Sequence, residues 1–255
     1  HADNGLDMQE FMIVPVGAPS FVEAVRYASE TFHALKALLH GRGLSVSVGD
    51  EGGFAPRLSG NDQACEAIVD AIEAAGYRPG EDIAIAIDPA ANAMWRDGHY
   101  ELRGNSGLTS ADMTTLYGRW LDRYPIVSIE DGLAEHDWDG FVAHTAALGD
   151  KVQIVGDDLY VTNTEYIQTG IARKATNAVL IKLNQIGTIT QTIGHVHRRF
   201  RGGHGRRPDQ DRRTQPRRAD SQIQPADGDR ARARQGRGVF HPLFAPDLRK
   251  ERSGP

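Results

Sequence analysis

The chain has 255 residues, of which 40% are hydrophobic and 25% charged, and its formal net charge is −5. This composition is typical of a globular protein with one large domain or two small ones. The single cysteine, Cys65, excludes an intrachain disulfide and favours a reducing, cytoplasmic location. The N-terminal stretch lacks the basic and apolar regions of a signal peptide, and no apolar run approaches membrane-spanning length. Because the first residue is His, we expect the chain to be part of a longer protein.

The charge is distributed unevenly along the chain. Residues 198–255 contain 16 basic and seven acidic residues, whereas residues 1–197 contain 13 basic and 27 acidic residues. Such a change predicts a boundary between two regions of different composition. We therefore expect a folded domain over residues 1–197 and a disordered or irregular Arg-rich tail over residues 198–255.

Short β-rich runs alternate with helical stretches through the first 197 residues. Ser20 with Glu23, Thr109 with Asp112 and Thr162 with Glu165 are capping-box pairs that predict three helix starts. Another helix is predicted between Asn61 and Gly76. This alternation indicates an α/β fold built largely from βαβ units. The predicted strands cover residues 11–16, 46–50, 83–88, 126–131, 153–158 and 178–184.

Charged residues stand at the end of every predicted strand from the second onward. In a (β/α) barrel these ends lie on one rim, which is where the active sites of such enzymes are found. The alternative is a rim whose charges are simply solvated. The residues at these ends are Asp50 and Glu51, Asp88, Glu130 and Asp131, Asp157 and Asp158, and Lys182.

Carboxylates gathered at one rim repel one another unless a cation joins them. Oxygen ligands without Cys or His favour Mg²⁺ before Ca²⁺, and Asp88, Glu130 and Asp157 come from three successive strand ends. Lys182 beside such a cation is expected to have a lowered pKa and to act as a general base; the alternative is a salt-bridge partner for the same acids. Glu51 is a candidate acid. A base, a cation and an acid suit proton removal next to a carboxylate, followed by loss of a leaving group.

Five longer motifs resemble enolase, the phosphopyruvate hydratase of glycolysis. They are "HADNGLDMQEFMIVPVGA", "VGDEGGFAP", "SIEDGLAEHDW", "VGDDLYVTN" and "IKLNQIGT", in the order and spacing of that family. The resemblance covers roughly residues 1–197 and implies a TIM-like (β/α) barrel of the enolase type. We expect this barrel to be incomplete, because its last two strands are not recognisable in the sequence. It implies Mg²⁺-dependent dehydration of 2-phosphoglycerate to phosphoenolpyruvate. The implied Mg²⁺ ligands are Asp88, Glu130 and Asp157.

The resemblance also implies roles for four other residues. Lys182 matches the base that removes the proton from C2 of 2-phosphoglycerate, and Glu51 matches the acid that assists departure of the C3 hydroxyl. Glu10 matches a second carboxylate in the acid region, which also contacts substrate. His1 matches a histidine near the substrate phosphate. The family usually forms homodimers or higher oligomers.

Parts of the family pattern are not recognisable in this sequence. These are the N-terminal domain, which supplies much of the dimer contact, a Ser-His-Arg-Ser phosphate loop and a second catalytic lysine. The sequence thus predicts that the chain alone does not turn over substrate. The abrupt change near residue 197 is explained by the hypothesis of a frameshift in a GC-rich gene. The alternative is a non-catalytic barrel remnant with a basic, RNA-binding tail.

Overall fold

A computed structural model describes residues 4–186 and residue 188. Within these residues, no helix is both long and apolar enough to cross a membrane. The elements in chain order are β1 (Glu10–Val14), α1 (Phe21–Gly41), α2 (Asp62–Ala74), β2 (Ala84–Asp88), a 3₁₀ turn (Ala91–Met94), β3 (Trp95–Arg96), β4 (His99–Leu102), β5 (Asn105–Leu108), α3 (Ser110–Arg123), β6 (Ile126–Glu130), α4 (Trp138–Leu148), β7 (Gln153–Gly156), α5 (Thr164–Arg173), β8 (Ala178–Val179) and α6 (Leu183–Ile186).

Five strands form the main sheet, in the order β1-β2-β6-β7-β8. Strand β1 runs antiparallel to β2, with Glu10 opposite Asp88, and the pairs β2–β6, β6–β7 and β7–β8 are parallel. Helices α3, α4 and α5 connect the successive parallel strands, as βαβ units require. The parallel strands therefore bring their carboxyl ends to one edge of the sheet, and the expected α/β architecture is confirmed for this part of the chain.

The centre of the sheet is buried on both faces. Every residue of β2 is buried, and Ile85 and Ile87 have no exposed surface. Helix side chains of α3 and α4, among them Tyr117 and Phe141, complete this core. Burying an isoleucine side chain contributes roughly 1.5–3 kcal/mol, which explains why β2 is an uninterrupted apolar run until Asp88.

Two of the three predicted capping-box starts are confirmed. Ser20 accepts a hydrogen bond from the Glu23 backbone N–H at the start of α1, and the pair Thr109 and Asp112 forms a complete capping box at α3. The third start was predicted one residue early. Asn163 caps α5 by accepting from two backbone N–H groups, and it leaves Thr162 for a different role in the site.

Two predicted strands are wrong in extent. Residues 46–50 form no strand; Val48 makes only an isolated bridge to Phe54 around a turn. The prediction misread the alternation of Val46 and Val48, which lie in an irregular connection instead of a half-buried sheet. The last predicted strand is reduced to Ala178–Val179, and helix α6 begins at Leu183.

A small antiparallel sheet was not predicted. Strands β3, β4 and β5 form a meander between β2 and α3. Its turns use residues with positive φ, including Asp97, Gly98 and Gly104. The strands are two to four residues long, too short for an alternation pattern to show in the sequence.

Candidate active site at the strand ends

Three carboxylates stand at successive strand ends of the main sheet. Asp88 and Glu130 are the last residues of β2 and β6, and Asp157 follows β7 directly. Asp88 is 8% exposed and Asp157 is 5% exposed, so both are removed from bulk water. The parallel order of β2, β6 and β7 places them along one edge, as the sequence predicted for these three residues.

Burial and mutual repulsion raise the pKa values of this group. Burial, followed by the charges of Asp88, Asp131 and Asp157, raises the pKa of Glu130 to about 8, and Lys182 opposes this shift. Burial raises the pKa of Asp88 to about 6 against the hydrogen bond from the Ala90 backbone N–H. These acids disfavour their charged forms in the absence of a cation, which is the behaviour of carboxylates arranged to share one.

Lys182 lies against the same group. Its ammonium donates a hydrogen bond to Asp157 Oδ2 and forms an ion pair with that carboxylate. This bond raises the pKa of Lys182. The lowered pKa expected for this lysine beside a bound cation stays a prediction; in the described structure Lys182 is 44% exposed and its contact is with an anion. The salt-bridge alternative describes the observed contact.

Two polar residues hold the segment around Lys182 in place. Thr162 Oγ1 accepts a hydrogen bond from the Lys182 backbone N–H at 2.9 Å and donates one to Gln185 Oε1 at 2.5 Å. Gln185 Nε2 in turn donates to Asp157 Oδ1 at 3.3 Å. Sequence reasoning gave Gln185 no role beyond packing or hydrogen bonding; its spacing three residues after Lys182, in one turn of chain, is the signal that could have indicated this contact.

Glu10 and Glu51 form a second acidic group near the first. Glu10 begins β1 and lies opposite Asp88 in the sheet register. Burial raises the pKa of Glu10, and a hydrogen bond and charge repulsion from Glu51 raise it further. Glu51 lies in a tight turn that Gly52 completes at a φ of +84°, a conformation that favours glycine. This turn, not a strand tip, brings Glu51 beside Glu10.

A cavity of about 450 Å³ opens beside these two glutamates. Glu10 and Glu51 contribute to one part of its wall. The rest of the wall is largely apolar and comes from β1, α1, α2 and the 53–58 segment. Phe32 of α1 stacks on Phe54 with ring centroids 4.3 Å apart. Other apolar lining residues are Phe11, Met12, Leu35, Leu39 and Ile68.

The predicted residues converge only in part. Among the residues that the structure describes, one set of three acids has ligand atoms within 4.8 Å of one another, and it consists of Asp131, Asp157 and Asp158. Asp88 and Glu130 stand outside this set, although their charges act on each other and on Asp157. Asp131 was noted in sequence only as a charge at a strand end. His1 lies outside the described residues.

The donor chemistry at the edge fits Mg²⁺. Asp88, Glu130 and Asp157 offer carboxylate oxygens, the ligands that this cation prefers, and the pKa values of Asp88 and Glu130 are raised. Cys65 is buried elsewhere in the core, where burial raises the pKa of its thiol to about 12, and it offers no thiolate.

The fold and the site together define a class: an α/β protein with a largely parallel sheet, an acid-rich strand edge and a lysine beside it. The chain belongs to the enolase family. The family described as "Enolase, C-terminal TIM barrel domain" matches residues 1–207, so the predicted family and fold class are confirmed.

Curated relatives agree with this assignment. The chain is 64% identical over 207 residues to "Enolase 1" of Methylococcus capsulatus (strain ATCC 33009 / NCIMB 11132 / Bath), which covers 80% of this chain and 49% of that relative. It is 58% identical over 200 residues to "Enolase" of Desulfotalea psychrophila (strain LSv54 / DSM 12343), covering 77% of this chain and 47% of the relative. The chain thus spans about half the length of the curated relatives it matches.

Proposed function

We propose that this chain carries the metal site and the proton-abstracting base of an enolase, phosphopyruvate hydratase, which dehydrates 2-phosphoglycerate to phosphoenolpyruvate in cytoplasmic glycolysis. The relatives are named enolase, and enolases are carbon–oxygen lyases. The observation that carries the proposal is the edge itself, where Asp88, Glu130 and Asp157 end successive strands and Lys182 contacts Asp157.

Asp88, Glu130 and Asp157 would hold Mg²⁺, and Lys182 would take the proton from C2 of the substrate. When bound, Mg²⁺ supplies positive charge against the charge that develops on the substrate carboxylate. To act as a base, Lys182 must first lose its proton, because an ammonium ion cannot accept another proton. It must also release its bond to Asp157. Asp157 would then be available to bind the cation. A cation at Asp157 would also weaken the interaction with Asp157 that raises the pKa of Lys182.

Glu51 would act as the acid at the C3 hydroxyl, and Glu10 would support it. Burial and the neighbouring Glu51 raise the pKa of Glu10, which favours a proton on this carboxyl group. A protonated carboxyl group in this position is the form that can give a proton to a departing hydroxide. His1 is assigned to the substrate phosphate on the resemblance alone.

The partners follow from the same assignment. We infer that the substrate is a small phosphorylated hydroxy acid and that the whole protein forms a homodimer or higher oligomer. The predicted RNA-binding tail over residues 198–255 lies outside the described residues. It stays a hypothesis that salt-dependent binding of single-stranded RNA would test.

A chimera separates the competence of this site from the contributions of the rest of an enolase. Residues 1–197 of this chain replace the corresponding segment of the Methylococcus enolase, and phosphoenolpyruvate formation is measured with and without Mg²⁺. We expect Mg²⁺-dependent turnover that Lys182→Ala abolishes. Lys151→Ala, which removes an exposed lysine before β7, is the matched control and should retain turnover. A chimera that folds but stays inactive, or that keeps its activity after Lys182→Ala, contradicts the proposal.

A further inference from the structure

Asp131 connects the three strand ends that carry the proposed metal ligands. Its backbone N–H donates to the Val155 carbonyl of β7 at 3.0 Å, and its own carbonyl accepts from the Ala91 N–H, in the turn after β2, at 3.0 Å. Asp131 itself directly follows β6. One residue therefore ties together the segments that follow β2, β6 and β7.

The Asp131 side chain is engaged by the turn that carries Asp157. Oδ1 accepts the Asp157 backbone N–H at 3.0 Å, and Oδ2 accepts the Asp158 backbone N–H at 2.7 Å. The residue is 5% exposed. Its two carboxylate oxygens thus span two consecutive N–H groups, and this contact fixes where the Asp157 side chain leaves the backbone.

The backbone conformation of Asp131 is unusual for a residue other than glycine. Its φ is +41°, in the left-handed region that non-glycine residues rarely occupy. A residue keeps such a backbone conformation when several contacts hold it in place. Asp131 has four hydrogen bonds that do so. Gly132, which would adopt such a conformation without strain, stands one position later in the chain.

We propose that Asp131 is a positioning residue for the Mg²⁺ site and not one of its ligands. This inference rests on the proposed function, because it assumes that Asp157 binds the cation. Asp131 belongs, with Asp157 and Asp158, to an acidic group whose ligand atoms lie within 4.8 Å of one another, yet each of its oxygens already accepts an N–H from the turn that it supports. Carboxylates that hydrogen-bond to the segment carrying a metal ligand, and not to the metal itself, orient that ligand and change the metal affinity.

A charge-preserving pair of variants tests the positioning role. Asp131→Glu keeps the charge but adds a methylene, so the carboxylate can no longer meet both N–H groups in the same geometry. Asp150→Glu makes the same change at an exposed carboxylate in the turn before β7, at the opposite end of that strand from Asp157. Calorimetric titration of each chain with Mg²⁺ gives the affinity, and Asp157→Asn serves as the ligand variant.

We expect Asp131→Glu to weaken Mg²⁺ binding about 10–100-fold, the effect typical of altered outer-layer partners. Asp150→Glu should bind Mg²⁺ as the unsubstituted chain does. Amide hydrogen exchange in metal-free protein provides a second measurement: protection of the Asp157 and Asp158 amides should fall in Asp131→Glu and persist in Asp150→Glu. Urea unfolding of each variant identifies the conditions in which it is folded.

The outcomes distinguish the inference from the function on which it rests. If Asp157→Asn leaves Mg²⁺ affinity unchanged, the proposed metal site is wrong and the role of Asp131 is overturned with it. If Asp157→Asn weakens binding but Asp131→Glu does not, only the inference about Asp131 is overturned. A loss of stability in Asp131→Glu with unchanged Mg²⁺ affinity of the folded chain indicates a merely structural residue and also overturns it.

Discussion

His144 predicts a pH-dependent loss of stability that can be measured without substrate or metal. The ring has no exposed surface and lies against the edge of the Tyr117 ring, with centroids 5.5 Å apart. Thr114 Oγ1 donates to the Ser110 carbonyl at 2.9 Å and lies 3.0 Å from His144 Nδ1. The hydroxyl proton is already used, so Nδ1 carries the proton and donates to Thr114. Nε2 is buried with no partner among the described residues.

The size of the effect follows from the pKa of His144. Burial lowers this pKa from 6.5 to about 4. The folded state therefore binds fewer protons than the unfolded state between these values, and stability falls as pH decreases through this window. The linkage relation gives a loss of about 2 kcal/mol between pH 7.5 and pH 5, and about 3 kcal/mol once pH falls below both pKa values. For a chain of this size, 2 kcal/mol corresponds to a shift in Tm of roughly 4–8 °C.

The measurement is urea unfolding of the unsubstituted chain and of His144→Leu at several pH values in chelator. The acids at the strand ends act in the opposite direction, because raised pKa values favour the folded state at low pH, and the comparison with His144→Leu cancels their contribution. Thr114→Val is a control that removes the hydrogen bond and keeps the titrating ring. Parallel stability curves for the unsubstituted chain and His144→Leu between pH 5 and pH 7.5 would refute this reasoning.

Three further predictions follow from described contacts. Thr109→Ala removes the capping box of α3 and should lower the free energy of unfolding by about 1 kcal/mol in urea titrations, whereas Thr115→Ala in the middle of that helix should cost less. Mg²⁺ should raise Tm more at pH 9 than at pH 6, because Glu130, with a pKa of about 8, must lose its proton to bind the cation. An Mg²⁺-induced rise in Tm that is equal in Glu130→Gln and in the unsubstituted chain would contradict this. Gln185→Ala removes bonds to Asp157 and Thr162 and should cost about 1 kcal/mol of stability by thermal or urea unfolding; an unchanged midpoint would show that these bonds add nothing.

Patterns of regular structure made much of the fold predictable. The apolar run ending at Asp88 and the capping pair at Thr109 depend on local rules of burial and hydrogen bonding, and both predictions are confirmed. The 46–50 segment failed because two alternating valines resemble a strand, whereas its neighbours in space are set by the turn at Gly52. Strand pairing across long separations, such as β1 with β2, is not encoded in local periodicity.

The site was predictable in its residue types and less so in its contacts. The sequence indicated a lysine and three carboxylates at strand ends because such ends converge in a parallel sheet. It offered a salt bridge between Lys182 and these acids only as an alternative. It did not indicate that Asp131 accepts hydrogen bonds from the turn after β7, because that contact depends on side-chain direction and on a backbone conformation with positive φ. The direction of the pKa shift of Lys182 depends on its nearest charged neighbour: Asp157 raises the pKa, whereas the lowered pKa was predicted for a lysine beside a bound cation.

The central claim is that Lys182 removes a proton from the substrate in a Mg²⁺-dependent step that precedes the action of Glu51. The most direct measurement is exchange of the C2 proton of 2-phosphoglycerate with deuterated solvent, followed by NMR in the chimera alongside phosphoenolpyruvate formation. The account predicts that Lys182→Ala loses both exchange and product, and that Glu51→Gln loses product but retains Mg²⁺-dependent exchange. Exchange that persists in Lys182→Ala, or that needs no Mg²⁺, would contradict it.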